Sequence, residues 1–148
     1  MCETILEIHL PNLRHNYHYL RKRLAPDTKL LAVVKAFGYG SDAEVVAQCL
    51  SDCGVDYFGV AYVQEGIALR KAGITQPILV LHPQEPNLQS LIEYKLTPGL
   101  YSQRILEAFI DALKQHETEM YPVHIKFNTG LNRLGFQPDE TERLLDLL

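Results

Sequence analysis

The chain has 148 residues, 47% of them hydrophobic and 22% charged, with a formal net charge of -4; this balance reads as one soluble globular domain with enough apolar material for a core. No basic stripe marks a nucleic-acid surface, and no apolar run approaches the roughly 20 residues that a membrane helix needs. The opening Met1-Cys2-Glu3-Thr4 lacks a basic segment followed by an apolar one, so no secretory leader is read and a cytoplasmic location is expected.

In chain order, Leu6 to Leu10 alternates like a strand, and Asn12 is expected to cap a helix bearing Leu13, Tyr17, Leu20 and Leu24 at three-to-four spacing, ended by Pro26-Asp27. Leu30 to Val34 is apolar on both faces, as in a buried parallel strand, and a glycine-bearing loop from Ala36 to Ser41 follows. Asp42 caps a helix through Val45, Val46, Cys49 and Leu50 that stops at Gly54. Tyr57 to Ala61 reads as a strand, Gln64 to Ala72 as a helix closed by Gly73, and Ile78 to Leu81 as a strand. Beyond Pro83 and Pro86 a short helix carries Leu88, Leu91 and Ile92. Leu96 to Tyr101 is a weaker strand because Pro98-Gly99 interrupts it. Ser102 caps an amphipathic helix with Ile105, Leu106, Phe109, Ile110 and Leu113, and Val123 to Phe127 is the last strand. A polar loop from Asn128 to Gly135 leads to a helix opened by Pro138 and still running at Leu148.

Short apolar runs alternating with helical segments define an α/β chain built from β-α units around a parallel sheet. A closed eight-stranded β/α barrel needs roughly 250 residues, so this length supplies about five of the eight units, and a TIM-type barrel truncated at its C-terminus is expected. An open doubly wound sheet is the rival, and composition alone favours it. Three cysteines form no disulfide framework; Cys49 and Cys53 share one helical face without further ligands at zinc spacing, so buried thiols and no metal are expected. His15 and His18 read as solvated helix residues, and His82 as a hydrogen-bonded residue at a strand end.

Lys35 ends the most apolar strand, where parallel α/β folds bind ligands. A lysine reaching water along its own stem is the commoner reading of such a residue. The chemical reading is a Schiff-base lysine, since partial desolvation lowers an amine's pKa and frees it to attack an aldehyde. Arg133 stands in a loop flanked by glycines, and its planar guanidinium can take a carboxylate in two-point fashion; its bland reading is a surface ion pair.

The segment Val33-Val34-Lys35-Ala36-Phe37-Gly38-Tyr39-Gly40 resembles the cofactor-lysine signature of alanine racemases. Lys126-Phe127-Asn128-Thr129-Gly130-Leu131-Asn132-Arg133-Leu134-Gly135 is similar to the loop after that family's fifth barrel strand, and Glu65 to Arg70 with Gly73-Ile74 is similar to its second helix. Two such blocks in order are hard to obtain by chance. Further wording, including Ile92-Glu93-Tyr94 and Arg104 to Phe109, resembles the racemase part of fused ligase-racemase proteins of cell-wall synthesis.

The resemblance implies that residues 1–148 form an incomplete N-terminal barrel domain, with the rest of the barrel and a C-terminal β-domain lying beyond it. It implies pyridoxal 5'-phosphate as cofactor, held by Lys35, which also serves as a base, with Tyr39 on the phosphate. Arg133 would contact the cofactor's phenolic oxygen and the carboxylate of alanine. Lys126 matches a position where the amine carries a carbamate, an unmodified strand lysine being the alternative. A homodimer follows, because the family's second base is a tyrosine of the partner subunit. The whole protein would interconvert L- and D-alanine for peptidoglycan synthesis, and this stretch alone is expected to be inactive. The alternatives are a racemase of broader specificity and a non-catalytic pyridoxal-phosphate-binding barrel. Ser41-Asp42 replaces the family's usual histidine and glycine, and Asn128 and Leu131 stand where aspartate and methionine are common; none of these removes a group that the chemistry requires.

Overall fold

The computed structural model describes residues 4–147; Cys2 and the opening residues, and the continuation at Leu148, lie outside them. The elements run α1 (Leu10–Arg21), β1 (Leu31–Val33), α2 (Lys35–Gly40), α3 (Ala43–Asp52), β2 (Tyr57–Val60), α4 (Val63–Lys71), β3 (Ile78–Val80), α5 (Leu88–Glu93), β4 (Thr97–Leu100), α6 (Gln103–Gln115), β5 (His124–Ile125) and α7 (Thr141–Leu147). All five strands are parallel and lie side by side in chain order. Leu31 pairs with Tyr57, Phe58 with Ile78, Leu79 with Thr97 and Gly99 with His124. Strictly sequential parallel order with a helix between each strand and the next is the arrangement of a β/α barrel, whereas a doubly wound sheet reverses strand order at a switch point.

Alternation along each strand divides the sheet into two faces. Val34, Phe58, Val60, Ile78, Val80 and Leu100 point to the helices and are buried with Leu69, Leu91, Leu106 and Phe109. Burying each such side chain contributes on the order of 2 kcal/mol. On the other face, a β-carbon at Gly59 would meet the side chains of Leu31 and Val33, Tyr57 donates a hydrogen bond to Thr97 at 3.0 Å, and the Tyr57 and His124 rings meet edge to face at 6.0 Å. This is the face that a closed barrel turns inward.

Several expectations need correction. Leu6 to Leu10 is not a strand: Ile5 and Leu6 are exposed, and among the described residues no strand pairs with the segment. Helix α1 begins before Asn12, because His9 takes the cap position and its Nδ1 accepts the Asn12 backbone N–H at 3.3 Å, with Pro11 fitting the first turn. Strand β1 is not buried on both faces, since Leu31 and Val33 are 39% and 36% exposed on the inward side. Strand β4 is not weakened by Pro98-Gly99; it is buried along its whole length. Gly99 is there because a β-carbon would lie 3.2 Å from the Val80 carbonyl oxygen. The last strand is shorter than Val123 to Phe127, the chain continuing as a single bridge between Phe127 and Phe136. Pro138 opens a turn of 3₁₀ helix that precedes α7. Cys49 is buried and Cys53 half-buried, both free thiols, and burial pushes the Cys53 thiol up.

Candidate functional site

Lys35 follows Val33 by two residues, so strand alternation carries it to the inward face at the C-terminal end of β1. The backbone then does something unusual. Ala36, Phe37, Gly38 and Tyr39 all have left-handed helical angles, with φ of 51°, 55°, 63° and 59°, where a simple glycine-bearing loop was expected. For the three residues with a β-carbon this costs roughly 1–2 kcal/mol each. Strain of this kind collects where the surroundings fix it for a purpose.

Three interactions hold the turn. The Gly38 N–H donates to the Val34 carbonyl at 3.0 Å, and the Ser41 hydroxyl donates to the Gly38 carbonyl at 2.6 Å. The Ala36 N–H donates to Glu65 Oε1 at 2.7 Å. The second Glu65 oxygen accepts the N–H groups of Ala61 at 2.7 Å and Tyr62 at 3.0 Å. The reversal throws Phe37 and Tyr39 outward, 80% and 68% exposed, and brings the Tyr39 ring to 5.9 Å from Lys35 Nζ, within the range of a cation–π contact.

Lys126 reaches the same inward face two residues after His124. Arg133 arrives from the loop behind β5, which Asn128 organises: its Oδ1 accepts the N–H groups of Gly130 at 3.1 Å and Asn132 at 3.0 Å, while its Nδ2 donates to Asn132 Oδ1 at 2.9 Å. The loop returns through paired backbone bonds, Asn128 N–H to Phe136 carbonyl at 2.8 Å and Phe136 N–H to Lys126 carbonyl at 2.9 Å.

Strands β1 and β5 are four steps apart, roughly 19 Å along a flat sheet. Yet Lys35, Lys126 and Arg133 line one hollow of about 310 Å³, together with Tyr62, Leu81 and His82. Curvature of the sheet is what gathers them. A larger groove of about 590 Å³ runs along α6 beside Phe109, Leu113 and Tyr121, but it lacks such a convergence of cations at strand ends. His82 is half-buried: its ring stacks on Tyr101 at 5.0 Å and meets Tyr62 edge to face at 5.7 Å. Tyr101 in turn donates to the Pro83 carbonyl at 3.1 Å; burial first, and the Glu85 charge second, raise its pKa.

Of the residues singled out in the sequence, Lys35, Lys126 and Arg133 thus share one hollow, and Tyr39 flanks it. The sequence reading missed Glu65 as a structural link and the Tyr62–His82–Tyr101 ladder. A glutamate three residues after Tyr62 did carry the pattern of a helix cap, but nothing in it indicated a bond to residue 36.

A five-stranded parallel half-barrel with an amine and a guanidinium converging at its strand ends defines a β/α-barrel protein with a candidate site for an anionic, amine-reactive ligand. The chain matches the family "Alanine racemase, N-terminal domain" over residues 8–148, and it belongs to that family. It is 37% identical to an alanine racemase of Carboxydothermus hydrogenoformans over 143 residues, covering 96% of this chain and 38% of that protein. It is 43% identical to the alanine racemase of Nostoc over 135 residues, covering 88% and 34%. An "Amino-acid racemase" of Enterococcus faecalis is 38% identical, with 95% of this chain and 19% of that protein covered. Among solved structures, the alanine racemase of Clostridium difficile superposes with a TM-score of 0.93 at 36% identity, covering 99% of this chain and 39% of that one. The chain therefore spans less than two fifths of the length of these curated relatives.

Proposed function

We propose that the protein to which these residues belong racemises alanine with pyridoxal 5'-phosphate, Lys35 being the residue that carries the cofactor. The observation that supports this most is the convergence of Lys35, Lys126 and Arg133 on one hollow. The donor set fits the group: a primary amine for an aldehyde, cationic groups for anionic oxygens, a tyrosine beside the amine, and a hollow at the lower end of the ~300–1,000 Å³ usual for small-molecule sites.

When bound, the cofactor supplies an aldehyde for the amine and a conjugated ring that acidifies the substrate's α-hydrogen. Lys35 Nζ would hold the cofactor and, as a free amine, would take the α-proton on its own face of the substrate. Arg133 holds the carboxylate and keeps its charge throughout. Tyr39 would contribute its hydroxyl to the cofactor phosphate. A carbamate on Lys126 would replace repulsion of Arg133 by attraction, an unmodified strand lysine being the alternative. Return of a proton on the opposite face, from a residue of a partner subunit in a homodimer, inverts the centre. The product would serve cytoplasmic cell-wall precursor synthesis.

The test is to mix the chain with pyridoxal phosphate, reduce with borohydride, and map the added mass. Attachment at Lys35, absent from Lys35→Ala, is expected; equal labelling of the variant means that another lysine is the reactive one. For the complete protein, exchange of the α-hydrogen of L-alanine in deuterated water and appearance of D-alanine complete the test. A second reading, a racemase of broader amino-acid range, draws on the similarity to the Enterococcus faecalis protein; a panel of L-amino acids in the same exchange assay separates the two.

A further inference from the structure

We propose that Glu65 is a positioning residue for the Lys35 amine, acting through the left-handed turn. The proposal rests on the reading of Lys35 given above. An ordinary capping glutamate satisfies its own helix terminus with one carboxylate. Glu65 does so with Oε2 alone, through Ala61 and Tyr62. Its Oε1 is left for a group 29 residues away, the N–H of Ala36 at 2.7 Å.

Ala36 is the residue directly after Lys35 and the first with left-handed angles. One carboxylate therefore joins the turn that carries the amine to the β2–α4 turn, whose Tyr62 lines the same hollow. The bond to Oε1 fixes the orientation of the Lys35–Ala36 peptide, and with it the start of the left-handed run that sets the Tyr39 ring 5.9 Å from the Lys35 amine. Bonds from backbone N–H groups to an ionised acceptor are stronger than neutral ones, and the half-buried setting of Glu65 strengthens them further.

Two variants separate the clamp from the cap. Glu65→Gln keeps the shape but presents an amide NH₂ where an acceptor is needed. Glu65→Asp withdraws the carboxylate by about 1.5 Å, which leaves a helix cap but no reach to Ala36. The first readout is the rate of borohydride trapping of pyridoxal phosphate at Lys35; the second is hydrogen exchange of the Ala36 amide, which needs no cofactor. We expect trapping in both variants to slow on the order of tenfold to a hundredfold, Ala36 protection to be lost in both, and the unfolding midpoint of Glu65→Asp to stay near that of the parent chain. Parent-like trapping and Ala36 protection in Glu65→Asp would show that Glu65 is a cap only and overturn the proposal. If the parent chain itself is not trapped at Lys35, the cofactor reading fails, and Ala36 exchange alone decides the clamp: protection retained in Glu65→Asp overturns it, protection lost sustains it.

Discussion

A β-carbon at Gly135 would lie 2.5 Å from the backbone nitrogen of Asn128, and 2.6 Å from the carbonyl carbon of Phe127. Gly135 also has a φ of +122°, so both space and backbone angle demand glycine where the arginine loop returns to the sheet. Because the opposing atoms are backbone, no side chain can give way. Gly135→Ala is expected to destabilise the chain by about 3 kcal/mol or more and to break the Asn128–Phe136 pairing. Urea unfolding checks the first; a loss below about 1 kcal/mol would mean that the loop accommodates the methyl group.

Helix α3 starts on Asp42, whose Oδ1 accepts the N–H groups of Glu44 and Val45, each at 3.0 Å. Removing this cap by Asp42→Ala is expected to cost about 1 kcal/mol, while Asp42→Asn stays close to neutral because asparagine caps equally well. Thermal unfolding of the two variants provides the comparison.

The Arg70 guanidinium donates to four carbonyls: those of Ile74 at 2.8 Å, Gln76 at 2.7 Å, Tyr94 at 3.1 Å and Lys95 at 3.1 Å. It thereby joins the ends of α4 and α5, and burial lowers its pKa. Arg70→Met is expected to lose about 2–3 kcal/mol by leaving those carbonyls short of donors, and Arg70→Lys to recover only a small part because it lacks the planar fork. Since the partners are carbonyls rather than carboxylates, the loss should be nearly the same in low and high salt. A strongly salt-dependent loss would contradict this account.

Tyr121 donates to the Leu96 carbonyl at 2.9 Å, and burial raises its pKa from the ordinary 10.0 to about 12. Between those values the folded chain keeps a proton that the unfolded chain has released, so stability falls as the pH rises through this window. Below pH 10.0 the contribution is fully present. Screening at this half-exposed position reduces the effect to the order of 1 kcal/mol. Unfolding curves from neutral to strongly alkaline pH should show Tyr121→Phe losing less stability across this interval than the parent chain; parallel losses would assign the alkaline transition elsewhere.

The fold was legible where pattern and environment agree. Asp42 and Ser102 sit at the caps expected of them, Gly54 and Gly73 close their helices with positive φ, and the alternation of apolar runs with helical spacing yields the parallel sheet. Leu6 to Leu10 misled because alternation reports a half-buried face only when a neighbouring strand exists. Pro98-Gly99 misled in the opposite sense: glycine weakens an isolated strand, but here it makes room for the Val80 carbonyl. Lys35 and Arg133 stood out by their places at a strand end and in a glycine-flanked loop, while their roles, and Tyr39 and Lys126 altogether, came through the resemblance of their segments. The left-handed run from Ala36 to Tyr39 was not legible, because alanine, phenylalanine and tyrosine all disfavour it. What stabilises it includes Glu65, whose partner is distant in sequence.

The order of the strands has a bearing on timing. Each strand pairs with its predecessor, so the sheet can grow one β-α unit at a time. The hollow follows a different schedule, since its walls come from the first strand and the loop behind the last. An emerging chain that has seated β1 to β4 already carries the Lys35 turn, but the guanidinium opposite it does not arrive until β5 docks. That strand is two residues long. The hollow is therefore complete only once β5 docks, and it opens when β5 detaches.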